Sequence, residues 1–76
     1  MKELVECIAK TLVDDPDAVS VRVVKNGEQT VLELSVGAGD YGKVIGKQGR
    51  TAQALRTVVG AAGAKLHQRV VLEIVE

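Results

Sequence analysis

The residues best placed to do chemistry in this 76-residue chain are Val44-Ile45-Gly46-Lys47-Gln48-Gly49-Arg50. Two glycines stand three apart, with two polar residues between them and an apolar pair before them. A helical pattern follows at once. Glycine lacks a Cβ, so it takes backbone angles closed to other residues and lets another backbone approach closely. A helix starting after Gly49 would offer free N–H groups and the positive end of its dipole, a seat for a phosphate. Lys47 and Arg50 would add mobile positive charge on either side. A side chain at Gly46 or Gly49 would hold an anion away, and a carboxylate at position 47 or 48 would repel it. The same four residues also suit a plain connection in which glycine ends one helix.

Other phosphate-binding patterns fail on spacing. Gly37-Ala38-Gly39-Asp40-Tyr41-Gly42 is a literal G-x-G-x-x-G, but no acidic residue lies about twenty positions on to hold a ribose. Gly42 to Lys47 has three residues between its glycines where a P-loop needs four, and Gln48 replaces the Ser or Thr that would bind magnesium. No nucleophile–base pair, metal-ligand spacing or cofactor motif is visible, so the chain does not read as an enzyme. His67, the one histidine, falls in an expected turn and reads as a solvated loop residue. Cys7 is alone, which rules out an intrachain disulfide and fits a reducing cytoplasm. Among apolar helix residues it reads as a small buried or half-buried core thiol. No signal peptide is expected from these residues, and no apolar run is long enough to span a membrane.

Net charge is zero, yet the charge is divided. Residues 1–42 carry four basic side chains against eight acidic ones. Residues 43–76 carry six basic side chains (Lys43, Lys47, Arg50, Arg56, Lys65, Arg69) against two acidic ones. No acidic residue occurs from Tyr41 through Leu72. The glycine stretch therefore sits in a basic half, which predicts one positive face.

The flanking elements follow from periodicity. Leu4, Val5, Ile8, Ala9 and Leu12 form one helical stripe over residues 2–13. Asp14-Asp15-Pro16-Asp17 ends that helix. Val19, Val21 and Val23 alternate with polar residues as a half-buried strand, and Thr30 to Val36 returns with Leu32, Leu34 and Val36 inward. Asn26-Gly27 is the favoured two-residue hairpin turn, which pairs Val21 with Leu32 and Val19 with Leu34. Gly37-Ala38-Gly39 breaks the strand, and Asp40 can N-cap a short helix over 40–45. A longer helix runs over about 50–64 with Ala52, Leu55, Val58, Val59 and Ala62 inward. Leu66-His67-Gln68 is a turn, and Val70, Leu72 and Ile74 alternate in a last strand. A right-handed crossover through the helix pair makes the two strands that flank it parallel neighbours. The class is α+β, ordered α-β-β-α-α-β, with a three-stranded mixed sheet and helices on one face.

Gly42-Lys43-Val44-Ile45-Gly46-Lys47-Gln48-Gly49-Arg50 resembles the core of a type II KH domain, and the whole chain is similar to the bacterial KhpA family of small single-domain KH proteins. The resemblance implies one KH domain over 1–76 and a narrow groove for about four nucleotides of single-stranded RNA. The short helix, the glycine loop and the long helix would form one wall, and the last strand the other. Gly46, Lys47, Gln48 and Gly49 would clamp phosphates. Val44 and Ile45 would offer an apolar floor while also serving the core, and Lys43, Arg50 and Arg56 would supply charge. Tyr41, the only aromatic residue, is expected to pack beside the short helix instead of stacking on bases. With almost no aromatic platform, one isolated domain should bind weakly and with strong salt dependence. The family also implies an RNA chaperone or post-transcriptional regulator linked to cell elongation or division. It further implies a homodimer, or a heterodimer with a larger KH-containing RNA-binding protein. The small residues Gly60, Ala61, Gly63 and Ala64 could admit the backbone of such a partner, or could mark where the helix simply ends.

Overall fold

The structure, a computed structural model, describes residues 1–75. Its elements are α1 (Lys2–Leu12), β1 (Ser20–Asn26), β2 (Gln29–Ser35), α2 (Tyr41–Ile45), α3 (Arg50–Lys65) and β3 (Arg69–Val75). Single 3₁₀ turns at Pro16–Ala18, Ala38–Asp40 and Lys47–Gly49 join them. The sheet order is β1-β2-β3, with β1 antiparallel and β3 parallel to β2. This is the expected order and mixed sheet, and the crossover from β2 to β3 carries both α2 and α3.

Alternation places Val21, Leu32, Leu34, Val70 and Leu72 on one sheet face. They pack with Val5 and Ala9 of α1, Val44 of α2, and Leu55 and Val59 of α3 in one core. The opposite face carries Arg22 and Glu33, cross-strand partners joined by an ion pair of 2.9 Å.

The hairpin register differs from expectation. Val21 pairs with Leu34 and Val23 with Leu32, because the two central turn residues are Gly27 and Glu28. Gly27 has φ +66° and no positive φ occurs at Asn26 or Glu28, so the turn uses glycine at its first central position. The two registers differ by two residues. Both keep the same side chains inward, so the apolar pattern could not separate them. The observed register sets Arg22 opposite Glu33, where the expected one would set Lys25 opposite Glu28.

Several burial expectations also change: Leu4 of the α1 stripe and Val23 of β1 are each 43% exposed. Cys7 is exposed, on the side of α1 turned away from the core. Val58 is 47% exposed and Leu12 36% exposed, so neither is core. Together with Ile8, Thr51, Ala54 and Leu55 they line an open groove between α1 and α3.

α3 does not end at its glycines. Gly63 is buried because its own chain comes close: a Cβ there would lie 2.9 Å from Val70 Cγ2 and 3.0 Å from the Gln68 carbonyl oxygen. The backbone that approaches Gly63 is therefore that of the α3–β3 connection. Gly60 is exposed, with nothing within 4 Å of such a Cβ. Gly60→Ala should stabilise the fold by about 0.5–1 kcal/mol through helix propensity. Gly63→Ala should destabilise it by about 1–3 kcal/mol through overpacking. Urea unfolding midpoints of the two variants check the opposite signs.

Candidate nucleic-acid interface

Between α2 and α3 the backbone turns through positive φ three times: Gly46 (φ +77°, ψ 173°), Gln48 (φ +58°, ψ 26°) and Gly49 (φ +73°, ψ 11°). The Gly46 conformation is essentially restricted to glycine. It is also crowded. A Cβ on Gly46 would lie 2.6 Å from Thr51 Cβ and 3.0 Å from the Thr51 nitrogen, and closer still to Thr51 Oγ1. Gly49 needs its glycine for φ alone, since nothing lies within 4 Å of a Cβ there.

Lys47 opens the 3₁₀ turn without a positive φ, and Gln48 after it is left-handed. A right-handed residue followed by a left-handed one turns successive N–H groups to the same side, which makes a concave seat for an anion. The N–H of Gly46 donates to the Gly42 carbonyl at 2.9 Å, and that of Gly49 to the Gly46 carbonyl at 3.2 Å. The N–H groups of Lys47 and Gln48 find no backbone acceptor beyond their own turn. The Lys47, Gln48 and Arg50 side chains are exposed around this seat. Among the described residues, Lys47, Arg50 and Arg56 have no carboxylate within 4.0 Å.

The other expected site residues divide. Ile45 is half-buried and keeps a surface beside the turn. Val44 is 0% exposed, so it is a core residue and cannot form the floor of a groove. Tyr41 is half-buried against the core, as expected. Arg56 and Gly60 share the stripe of α3 that continues to Gly63, and Gly63 packs on β3. Arg56 therefore stands on the flank of α3 that faces β3. Arg50 lies about 120° away around the helix, on its outward side. The two arginines thus mark different parts of the expected wall.

Lys43 is already engaged. Its ammonium donates a hydrogen bond to Asp14 Oδ2 and lies 3.8 Å from Asp40 Oδ1. The bond to Asp14 holds its pKa above the ordinary lysine range; charge from both carboxylates adds to this, and partial desolvation opposes it. Asp40 occupies the N-cap position of α2 without capping it. Its Oδ2 instead accepts the Asp15 N–H at 3.1 Å. Among the described residues it is the only buried charged side chain, at 5% exposure. The sequence reading missed this network. The Asp40–Lys43 spacing of three on a helix was its one local signal.

The KhpA/KhpB KH domain family model matches residues 2–74. The chain belongs to this family. Its element order and mixed sheet are those of the type II KH fold. "RNA-binding protein KhpA" of Clostridium perfringens is 59% identical over 75 residues, covering 99% of this chain and 100% of the relative. The protein of the same description from Halalkalibacterium halodurans is 57% identical over 76 residues, covering both chains completely. That from Chlamydia trachomatis is 42% identical over 76 residues, covering 100% of this chain and 97% of the relative. Among solved structures, Aquifex aeolicus Era bound to GDP and AlF4⁻ superposes with a TM-score of 0.62 at 21% identity. The match covers 96% of this chain and 28% of Era, and shares the fold alone.

Among the described residues, no group of three His, Cys, Asp or Glu side chains could hold a metal ion. No helix there is long and apolar enough to cross a membrane.

Proposed function

We propose that this chain binds short single-stranded RNA across the Gly46–Gly49 turn and the flank of α3 that faces β3. One observation carries the reading: the left-handed Gln48 lies between two positive-φ glycines, the N–H groups of Lys47 and Gln48 bond to no backbone acceptor outside their own turn, and the exposed basic side chains around them have no carboxylate within 4.0 Å. Relatives along the whole length are described as RNA-binding, which supports it. Gly46, Lys47, Gln48 and Gly49 seat phosphates. Ile45 meets a base, and Arg50 and Arg56 add charge at the outer and inner edges of the track.

Three free cations set the salt response. Each phosphate neutralised on a single strand contributes about −0.7 to the slope of log affinity against log salt, so the slope should be about −2. Fluorescence anisotropy with a labelled random single-stranded RNA pool measures it. Lys47→Asp with Gln48→Asp should weaken binding roughly tenfold or more and flatten the slope, while circular dichroism stays unchanged. Equal binding by wild type and the double variant would place the RNA elsewhere. No binding by either would remove the reading.

The finer role we propose is that of an RNA chaperone or post-transcriptional regulator in the cytoplasm, connected to cell elongation or division. A second reading is a subunit that mainly pairs with another KH protein, or with its own copy. The open apolar groove between α1 and α3 favours it, with Leu12 and Val58 exposed there. Gly60, Ala61 and Ala64 are also exposed and remain candidate contacts. Size-exclusion chromatography with light scattering separates the readings: a monomer that binds RNA supports the first, and a dimer indifferent to RNA the second.

A further inference from the structure

The basic count near the glycine turn overstates the charge available to a ligand. Lys43 lies one helical turn before Gly46, about 5 Å along the axis of α2. A free lysine there would extend into the same field as Lys47. Its ammonium instead turns back to Asp14, in the α1–β1 connection, and to Asp40. This direction suits a helical side chain, whose Cα–Cβ bond tilts toward the helix N-terminus. The two carboxylates differ in role. Asp40 is buried and fixed by the Asp15 N–H, so its position is set by the fold. Asp14 is 82% exposed and has no other polar partner among the described residues. It is a surface counter-charge aimed at one lysine.

We propose that Asp14, backed by Asp40, withholds Lys43 from nucleic acid, so that the wild-type chain binds RNA with one cation fewer than its loop region carries. This rests on the proposed RNA site and refines it. The contact is autoinhibitory in a graded sense. An exposed ion pair is weak, and its loss frees a charge without unfolding anything. The α1–β1 connection thereby sets the affinity of the glycine turn, although it forms no part of the expected groove.

A double-mutant cycle tests this with four proteins: wild type, Asp14→Asn, Lys43→Gln and the pair together, each titrated with the same labelled RNA pool at several salt concentrations. Asp14→Asn keeps the size of the side chain, and thermal melts followed by circular dichroism confirm folding in each case. Lys43→Gln should bind within about twofold of wild type, with the same salt slope. Asp14→Asn should bind about two- to fivefold tighter, with a slope steeper by about 0.7, the increment for one more phosphate contact. The gain should vanish when Lys43→Gln is added.

Three results would overturn the inference while leaving the RNA site intact. Loss of as much affinity in Lys43→Gln as in Lys47→Gln, titrated alongside, would mean that Lys43 already contacts RNA. Equal binding by Asp14→Asn and wild type would mean that the freed lysine does not reach. A gain that persists in the Lys43→Gln background would be assigned to simple long-range repulsion by Asp14. Failure of the site itself looks different: neither wild type nor any variant binds, and both proposals fall together.

Discussion

Gly46→Ala is expected to destabilise the domain by about 2–5 kcal/mol, against about 1 kcal/mol for Gly49→Ala. The comparison separates two costs that glycine can avoid. Both residues have positive φ, and an alanine in the left-handed region costs roughly 1–2 kcal/mol. Gly49 faces open space, so that cost is all it meets. Gly46 adds the extended ψ of 173°, which belongs to glycine almost alone, and the Thr51 side chain and nitrogen stand where a Cβ would go. Relieving that overlap means shifting the first turn of α3, at a further cost of about 1–3 kcal/mol. A domain of this size has on the order of 5 kcal/mol in total, so Gly46→Ala should leave a measurable unfolded population at ambient temperature. Gly49→Asn should be milder than Gly49→Ala, because asparagine tolerates left-handed angles. Chemical unfolding of the four proteins gives the ranking. If Gly46→Ala falls within about 1 kcal/mol of Gly49→Ala, α3 moves aside freely and the overlap carries no weight.

This changes the reason for Gly46. The sequence suggested that a bare backbone was needed so that a ligand could come close. In the folded chain the close approach at Gly46 is internal, from Thr51, and the feature we propose to face the ligand is the left-handed step at Gln48. That step was not legible, because glutamine carries no local sign of left-handed geometry. The elements themselves were legible, because each is written in a period: 2 in the strands, and 3.6 in α1 and α3. The hairpin register was not, because period 2 is blind to a shift of two and each register offers one opposite-charge pair, Lys25–Glu28 in the expected one and Arg22–Glu33 in the observed one. Cys7 lies on the side of α1 opposite Val5 and Ala9, so apolar neighbours in sequence did not make it core, and Val58 stands at the margin of its stripe on α3. A three-stranded sheet covers a narrow stripe of each helix, so apolar residues at the margin of a stripe stay exposed. Gly63 illustrates the limit from the other side. Its small size answers to Val70, a contact between elements that no pattern within one helix announces.

Asp40→Ala is expected to destabilise the domain by about 1–3 kcal/mol and to weaken RNA binding even where circular dichroism shows the chain folded. α2 has only five residues and is not stable as an isolated helix. Its place is set by Val44, fully buried in the core, and by Asp40, whose carboxylate accepts the Asp15 N–H in a partly buried setting. Removing the acceptor leaves that part-buried N–H without its partner, at part of the cost of an unsatisfied donor, and takes away the tie between α2 and the α1–β1 connection. The glycine turn leaves directly from the end of α2, so play at Asp40 becomes play at Lys47 and Gln48. Asp40→Asn distinguishes the hydrogen bond from the charge. Its amide oxygen can still accept the Asp15 N–H, while its charge toward Lys43 is gone. If the hydrogen bond is what positions α2, Asn should retain most of the stability and most of the RNA affinity that Ala loses. If Asn and Ala lose the same amount, the negative charge at position 40 is what matters, and Lys43 becomes the partner that fixes α2. Asp14→Asn, which removes the exposed carboxylate and leaves Asp40 in place, should change stability little under either outcome. Stability and affinity measured together on Asp40→Ala, Asp40→Asn and Asp14→Asn therefore separate the anchor of the glycine turn from the counter-charge beside it.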